Sequence, residues 1–340
     1  MGKIRTFVQA AQNAAFDFWE GLQTTFSGIK TSIWIPKTTD TNANADIKPK
    51  GNGANVAQDP DGTATGGNAR GQYATDWQKS RGSNQDVASG NNSTIGGGIT
   101  NRASGADSTV GGGNNNRATN TASTVGGGYL NFATALRSVV AGGNNNTASG
   151  QYSTISGGLS NTSTGDRSFI GGGTSNAASQ THSTISGGQD NTASSTHSTV
   201  GGGKNNTASG EHSTVGGGNN NTTVRQRATV SGGLNNTADG ELSFVGGGNG
   251  NDAGGLNSAI NGGRDNTTTN NFATVGGGQS NTASGEHSTI GGGIANNATA
   301  ERSTVSGGTE NRASGTRSSV GGGDLNTASG AYATISGGRQ

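Results

Sequence analysis

A fifteen-residue repeat fills residues 86–340 without an insertion or deletion, and no other feature constrains the fold as strongly. Val or Ile returns at every fifteenth position, with Gly-Gly two residues later and, as far as Asn326, Asn six residues later. Because each unit must lie in register on the last, a short period without slippage predicts stacked coils. The seventeen Val/Ile positions are Ile95, Val110, Val125, Val140, Ile155, Ile170, Ile185, Val200, Val215, Val230, Val245, Ile260, Val275, Ile290, Val305, Val320 and Ile335.

Two short strands can be recognised in each unit. The Ser-Thr-Val/Ile triplet alternates with period two, so Ser and Val/Ile are expected to face inward and Thr outward. The Asn-x-Ala triplet alternates in the same way, and Gly-Gly and Ser-Gly supply tight corners between the strands. The predicted fold class is all-β: a parallel β-solenoid, or β-roll, of seventeen fifteen-residue coils. At ~4.8 Å per coil the rod would be roughly 80 Å long.

Composition alone would favour a disordered chain, since 66 of 340 residues are Gly and only 26% are hydrophobic. The strict columns outweigh this, because a disordered chain has no reason to keep Val/Ile and Asn in phase. Each coil nevertheless buries only one Val/Ile and one small residue, which is little apolar surface against the entropy of ordering fifteen residues. We therefore expect a homotrimer whose rolls share a core.

Units of the form Asn-Thr-Ala-Ser-Gly-x-x-Ser-Thr-Val-Gly-Gly-Gly resemble the YadA-like head repeats of trimeric autotransporter adhesins, which also occur in bacteriophage tail fibre and spike proteins. The resemblance covers residues 86–340, although the unit is one residue longer than usual and has a Gly run at its corner. It implies a left-handed parallel β-roll, packing of three chains, and a role in surface attachment or in a virion appendage.

Residues 1–30 differ from the rest, because large apolar side chains recur there at helical spacing. We expect an amphipathic helix that anchors the protein in a capsid or tail protein, or that forms a short three-helix bundle. The alternative is a helix folded back on its own chain. The expected anchor residues, including one from the next segment, are Ile4, Phe7, Val8, Ala11, Ala15, Phe18, Trp19, Leu22 and Trp34.

Two further segments separate this helix from the roll. Residues 31–65 hold all three prolines among Thr, Asn, Asp and Gly, which is typical of an extended linker or arm. Residues 66–85 are expected to form an N-terminal cap in which Tyr73 and Trp77 cover the first coil. Residues 86–340 form the β-roll, and its last coil is expected to contact a second, distal protein.

Net charge and composition limit the classes of partner that we expect for this protein. The formal net charge is +1, so a nucleic-acid partner is not expected, and with no Cys there is no disulfide framework. A secretion signal and a membrane-spanning stretch are not recognisable. We therefore expect a virion protein on the exterior of a tail or capsid, made in the host cytoplasm and not inserted in a membrane. Which of the two it would join is left open.

One outward column, three residues before each Val/Ile, carries aromatic and basic side chains. A solvated stripe or an inter-chain contact is one interpretation, and contact with host surface glycans is another. Three consecutive His could bind a metal, but no fixed fourth ligand accompanies them. The candidate contact stripe comprises Tyr152, Arg167, His182, His197, His212, Arg227, His287 and Arg302.

The remaining columns favour structure over chemistry. Stacked Asn side chains can hydrogen-bond along a solenoid, and the outward Thr column is too interrupted to favour ice binding. Glu211, His212 and Ser213 are adjacent on one strand and cannot form a triad, so we expect no enzyme, cofactor or metal site. The expected function is a trimeric bacteriophage tail fibre or tailspike-like protein. A capsid-decorating fibre or cement trimer, a cellular trimeric adhesin and a secreted ice-binding or glycan-active solenoid are the alternatives.

Overall fold

Stacked coils make up nearly all of the described structure, as the fifteen-residue period predicts. The computed structural model describes residues 31–33, 47–49, 62–63 and 67–339. From residue 75 onward, short strands pair in parallel with the strands one coil away. From Thr94 the register is fifteen residues, and it holds to the last coil. The predicted all-β parallel solenoid of about seventeen coils is confirmed, and the described residues contain no helix.

One face of the solenoid is the Val/Ile sheet, which consists of two-residue strands in parallel. It is open at both ends, because its first strand pairs only with the second and its last only with the one before it. Its strands are Thr75–Asp76, Thr94–Ile95, Thr109–Val110, Thr124–Val125, Val139–Val140, Thr154–Ile155, Phe169–Ile170, Thr184–Ile185, Thr199–Val200, Thr214–Val215, Thr229–Val230, Phe244–Val245, Ala259–Ile260, Thr274–Val275, Thr289–Ile290, Thr304–Val305, Ser319–Val320 and Thr334–Ile335.

The second face is the Ala sheet, a 16-stranded parallel sheet. Each strand pairs with the strand fifteen residues away. Its strands are Arg102–Ala103, Arg117–Ala118, Phe132–Ala133, Thr147–Ala148, Thr162–Ser163, Ala177–Ala178, Thr192–Ala193, Thr207–Ala208, Thr222–Thr223, Thr237–Ala238, Asp252–Ala253, Thr267–Thr268, Thr282–Ala283, Asn297–Ala298, Arg312–Ala313 and Thr327–Ala328.

A third ladder, which the sequence did not predict, joins the coils four residues after each Val/Ile. One residue per coil forms a parallel bridge with the next coil, in a series that runs from Ser80 and Ile99 to Asp324 and Arg339. The backbone N–H of Asn219, for example, donates to the carbonyl oxygen of Gly233 in the next coil. Each coil is therefore tied to its neighbours along three lines, which leaves little freedom for coils to slide or tilt.

The core is closed within a single chain. The inward Val/Ile side chains from Ile95 to Val320 are fully buried. The inward Ser and Asn residues beside them are at most 3% exposed. Thr of the Ser-Thr-Val/Ile triplet lies outward and partly exposed, as predicted. The Val/Ile column is therefore buried within one chain, and the homotrimer stays a prediction.

The second Gly of each Gly-Gly pair is required by both conformation and space. Gly218 has φ +87°, in the left-handed region that side chains disfavour. A Cβ added there would lie 2.2 Å from the carbonyl oxygen of Gly233 in the next coil and 2.6 Å from Nδ2 of Asn221. The preceding Gly217 differs, because a Cβ there would meet nothing within 4 Å. Close stacking of coil corners thus depends on the second Gly of the pair.

Buried asparagines form a continuous ladder beside this corner. The Asn206 side-chain amide donates to the carbonyl oxygens of Gly202, at 2.8 Å, and of Gly218 in the next coil, at 2.9 Å. Its Oδ1 accepts from the backbone N–H of Asn221 at 3.0 Å. The same bonds recur from Asn101 to Asn326. The Asn column is therefore structural, as expected, because it satisfies buried backbone groups in two coils at once.

The N-terminal end of the solenoid contains a buried group of charged side chains. Asp76 occupies the Val/Ile position of the first coil, is 5% exposed, and its Oδ2 lies 3.1 Å from both Arg70 Nε and Arg81 Nη2. The Gln78 side chain accepts from the N–H of Asn101 at 2.8 Å and so begins the Asn ladder. The prediction that Tyr73 covers the first coil is wrong, because its side chain is 81% exposed.

Before the cap, the structure describes one small element. Thr31–Ile33 and Ile47–Pro49 form a two-stranded antiparallel sheet, with Ser32 opposite Lys48. This pairing falls inside the segment that we interpreted as an extended arm. The predicted helix over residues 1–30 and the anchor residues from Ile4 to Trp34 lie outside the described residues. In the part of the chain that is described, no helix has the length and apolarity needed to cross a bilayer.

Candidate functional site

The predicted contact stripe lies along one corner of the solenoid. Its eight residues all adopt left-handed backbone conformation, with φ between +55° and +59°, and their side chains are exposed. At this φ a β-branched residue is strongly disfavoured, and the column from Asn92 to Tyr332 contains no Val, Ile or Thr. The corner conformation therefore excludes some residue types from this column, but it does not require Tyr, Arg or His.

Coil spacing brings the histidines of the stripe into a continuous stack. The rings of His182 and His197 lie 4.8 Å apart between centroids at 11°, and those of His197 and His212 lie 4.6 Å apart at 7°. Each ring therefore covers a face of its neighbour, and the ring edges with their nitrogen atoms point away from the stack. Nearly parallel rings turn three separate side chains into one ordered surface.

Tyr152 is sandwiched between two arginines of the same column. The Cζ atoms of Arg137 and Arg167 lie 5.6 Å and 5.5 Å from its ring centroid, within the range of a cation–π contact. Arg137 also donates from Nη1 to the Tyr152 hydroxyl at 3.3 Å. Arg137 was missed as a stripe residue, although its position three residues before Val140 would have identified it.

A second group of stacked side chains lies farther along the same corner. The rings of Phe272 and His287 are 4.7 Å apart at 4°, and Arg317 stacks on Tyr332 at 5.5 Å. Phe272 was also missed from the stripe. Between the two groups, Leu242 and Asn257 occupy the column, so the predicted stripe is two segments rather than one.

The charges of the two segments differ. Arg302 of the second segment lies 3.5 Å from Glu301, and His287 lies 3.9 Å from Glu286. In the first segment, Arg137, Arg167 and Arg227 form no ion pair with any described carboxylate, and only His212 has a carboxylate within 4 Å, that of Glu211 at 3.6 Å. We call this first segment the basic ridge; it comprises Arg137, Tyr152, Arg167, His182, His197, His212 and Arg227.

The described residues offer little for metal or triad chemistry. They contain no group of three His, Cys, Asp or Glu side chains that could hold a metal ion. Ser213, next to His212 in sequence, is fully buried, and its hydroxyl accepts from Thr223 Oγ1 at 2.9 Å. Glu211 and His212 lie in a turn before the strand Thr214–Val215 and are both exposed, so the strand alternation that we predicted for Glu211-His212-Ser213 is wrong. The buried Ser213 nevertheless lies on a different side of the coil from His212.

One carboxyl group has a perturbed pKa. Partial burial on the outer face of the Ala sheet raises the pKa of Asp252, and the nearby charge of Asp239 raises it further. Asp252 lies between Thr237 and Thr267 of the neighbouring strands. The raised pKa of Asp252 therefore reflects first its partial burial on a strand surface and second the repulsion from Asp239.

Comparisons with known proteins add no family to these observations. No family model matches the chain, and no curated protein is significantly similar to it in sequence. Functional inference therefore rests on the coil geometry and on the basic ridge.

Proposed function

We propose that this chain is a non-enzymatic structural protein of a virion, a trimeric bacteriophage tail fibre or tailspike-like protein that spaces an attachment surface away from the particle. The observation that carries the proposal is the uninterrupted register of seventeen coils. Its Val/Ile, Asn and second-Gly columns all serve contacts between coils. What remains for function is a long, stiff rod with polar sides and an ordered corner.

The rod is suited to a spacer because its length follows directly from the number of coils. Three hydrogen-bonded ladders and the Asn ladder connect each coil to the next, so bending would require breaking bonds along at least one line. Such a protein would project about 5 Å per added coil without changing any other contact. The resemblance to head repeats of surface-attachment proteins supports the same role.

In this proposal the non-repeating N-terminal part supplies the attachment point. Residues 1–85 would bind a capsid or tail protein, with the apolar positions Ile4 to Leu22 and Trp34 as the anchor. The same residues would hold three chains together, since each described roll already buries its own apolar columns. The protein would lie on the exterior of the virion, after synthesis in the host cytoplasm, with its last coil available to a distal protein.

Mass spectrometry of purified phage particles tests the proposal. The protein should be found in intact particles, and deletion of residues 1–30 should remove it from them while the circular-dichroism spectrum of the rod persists. Native mass measurement of the full chain should give three copies. A protein absent from particles, or a stable folded monomer at all concentrations, would contradict the corresponding part of the proposal.

The alternatives differ in where the rod would be found. A capsid-decorating fibre or cement trimer would co-purify with heads separated from tails, whereas a tail fibre would co-purify with tails. A cellular trimeric adhesin would be recovered from a cell envelope rather than from particles. Fractionation of heads, tails and envelopes from the same preparation distinguishes the three.

A further inference from the structure

The basic ridge carries three exposed arginines without a carboxylate partner, spread along a single line of the solenoid. Of the exposed arginines elsewhere in the described residues, Arg225, Arg264, Arg302 and Arg339 have a carboxylate within 4 Å, whereas Arg312 and Arg317 have none. Arg137, Arg167 and Arg227 have none in the described structure. Three like charges on one edge repel each other, and an anion lying along that edge would relieve the repulsion.

The ridge is also preorganised. All seven side chains leave the chain at the same left-handed corner position, one per coil. Stacking contacts orient the three histidines, Tyr152 and the two arginines that flank Tyr152. Because neighbouring rings cover each other's faces, the exposed polar atoms are guanidinium N–H groups, imidazole nitrogens and the Tyr152 hydroxyl. The result is a row of donors at intervals of about 4.8 Å, extending over roughly 30 Å.

A polar row runs beside the ridge, one residue earlier in each coil. It offers amide and hydroxyl groups with carboxylates interspersed, and its members are Gln151, Asp166, Thr181, Thr196, Glu211 and Gln226. Groups of this kind can hydrogen-bond hydroxyls, so the corner as a whole suits a ligand that carries many hydroxyl groups and a few negative charges.

We propose that the basic ridge binds a linear acidic polysaccharide, which lies along the rod with its carboxylates on Arg137, Arg167 and Arg227. The inference rests on the host-adhesion part of the proposed function and names the ligand class for it. A neutral glycan that stacks on aromatic faces fits less well, because those faces are already covered. Nucleic acid fits less well because its dense charge, one per ~1.7 Å in a duplex, would meet Asp166 and Glu211.

Polygalacturonate, which has one carboxylate per sugar, serves as the probe, with dextran as the neutral polymer. The full-length protein should bind immobilised polygalacturonate at low salt but not dextran, and added salt should weaken binding. Combined Arg137→Gln, Arg167→Gln and Arg227→Gln should lower the affinity by about tenfold, which three exposed charge pairs would supply.

A matched variant controls for net charge. Arg264→Gln, Arg302→Gln and Arg339→Gln remove the same charge from the same rod, but from side chains already paired with Asp265, Glu301 and Asp324. This control should lower affinity by less than about twofold. Absence of polygalacturonate binding, equal losses in the two variants, or tighter binding of single-stranded DNA would each overturn the inference.

The stacked histidines provide a further test. His182→Gln, His197→Gln and His212→Gln together should lower the affinity for polygalacturonate by about twofold or more at constant pH, because they remove the ring stack and its polar edge. Unchanged affinity in this triple variant would contradict a role for the stack. Binding by a protein that is missing from particles would refute the virion assignment and leave this inference standing.

Discussion

Replacing one buried asparagine tests whether the Asn ladder holds the solenoid together. In Asn206→Ala the backbone keeps its bond to Asn191 Oδ1, but three side-chain bonds are lost, to Gly202 O, Gly218 O and the N–H of Asn221. Of these three backbone groups only the N–H of Asn221 belongs to a fully buried residue, and the Gly218 oxygen keeps its bond from the N–H of Lys204. A buried unsatisfied group costs about 1–3 kcal/mol, and we expect a loss of that size.

Asn219→Ala is the matched control, because Asn219 is exposed and joins the coils only through its backbone. It should change stability by less than about 0.5 kcal/mol. Urea unfolding followed by circular dichroism gives the overall loss, and hydrogen exchange by mass spectrometry shows whether the loosened amides lie in the coils around residues 200–225. A loss in Asn206→Ala no larger than that in Asn219→Ala would refute the structural role of the ladder.

Three further substitutions follow from other parts of the chain. Gly218→Ala should destabilise the rod by about 3 kcal/mol or more in urea unfolding, whereas Gly217→Ala should cost less than about 1 kcal/mol; equal effects would contradict the corner geometry. Asp252→Asn should raise the urea midpoint at about pH 7 but not at about pH 3. Because the carboxyl pKa is raised in the folded state, the wild-type protein loses stability when this group ionises as the pH rises. An effect of the substitution that does not depend on pH would refute this. Asp76→Asn, which removes the carboxylate shared with Arg81, should speed amide exchange in the first coils by about 100-fold or more and leave the last coils unchanged.

The inward columns could be predicted because their residue types are fixed by burial. Val/Ile, Asn and the second Gly each occupy one environment that few residues fit, so Val110, Asn116 and Gly113 repeat without exception. The third ladder could not be predicted, because residues such as Ile99 and Lys204 contribute only their backbone to it. A ladder formed only by backbone groups does not require a repeated residue type in the sequence.

The residues that form the N-terminal cap could not be predicted because the spacing of the repeat changes there. Thr75 pairs with Thr94, nineteen residues away rather than fifteen, because four extra residues lie between Ser80 and Ala88. Asp76 therefore sits in the apolar column without the flanking pattern that marks that column elsewhere. Tyr73 was expected to cover the first coil but is exposed, and the position that Val/Ile fills in later coils holds a buried carboxylate paired with two arginines.

Only part of the basic ridge could be predicted from the sequence. Periodicity placed Tyr152, Arg167 and the three histidines in one column, but neither their stacking nor the absence of ion pairs could be derived from spacing alone. Both depend on the left-handed corner, which Tyr, Arg and His do not signal as Gly or Asn would. The acidic residues beside the second segment decide which part of the column is free to bind an anion.

Cryo-electron microscopy of the purified full-length protein tests the central claim most directly, namely that the repeats form one stiff, in-register rod. We expect straight particles that are roughly 80 Å long in the repeat region, with an axial spacing of about 4.8 Å in their averaged images. Rounded particles, rods of variable length, or averages that lack this spacing would contradict it.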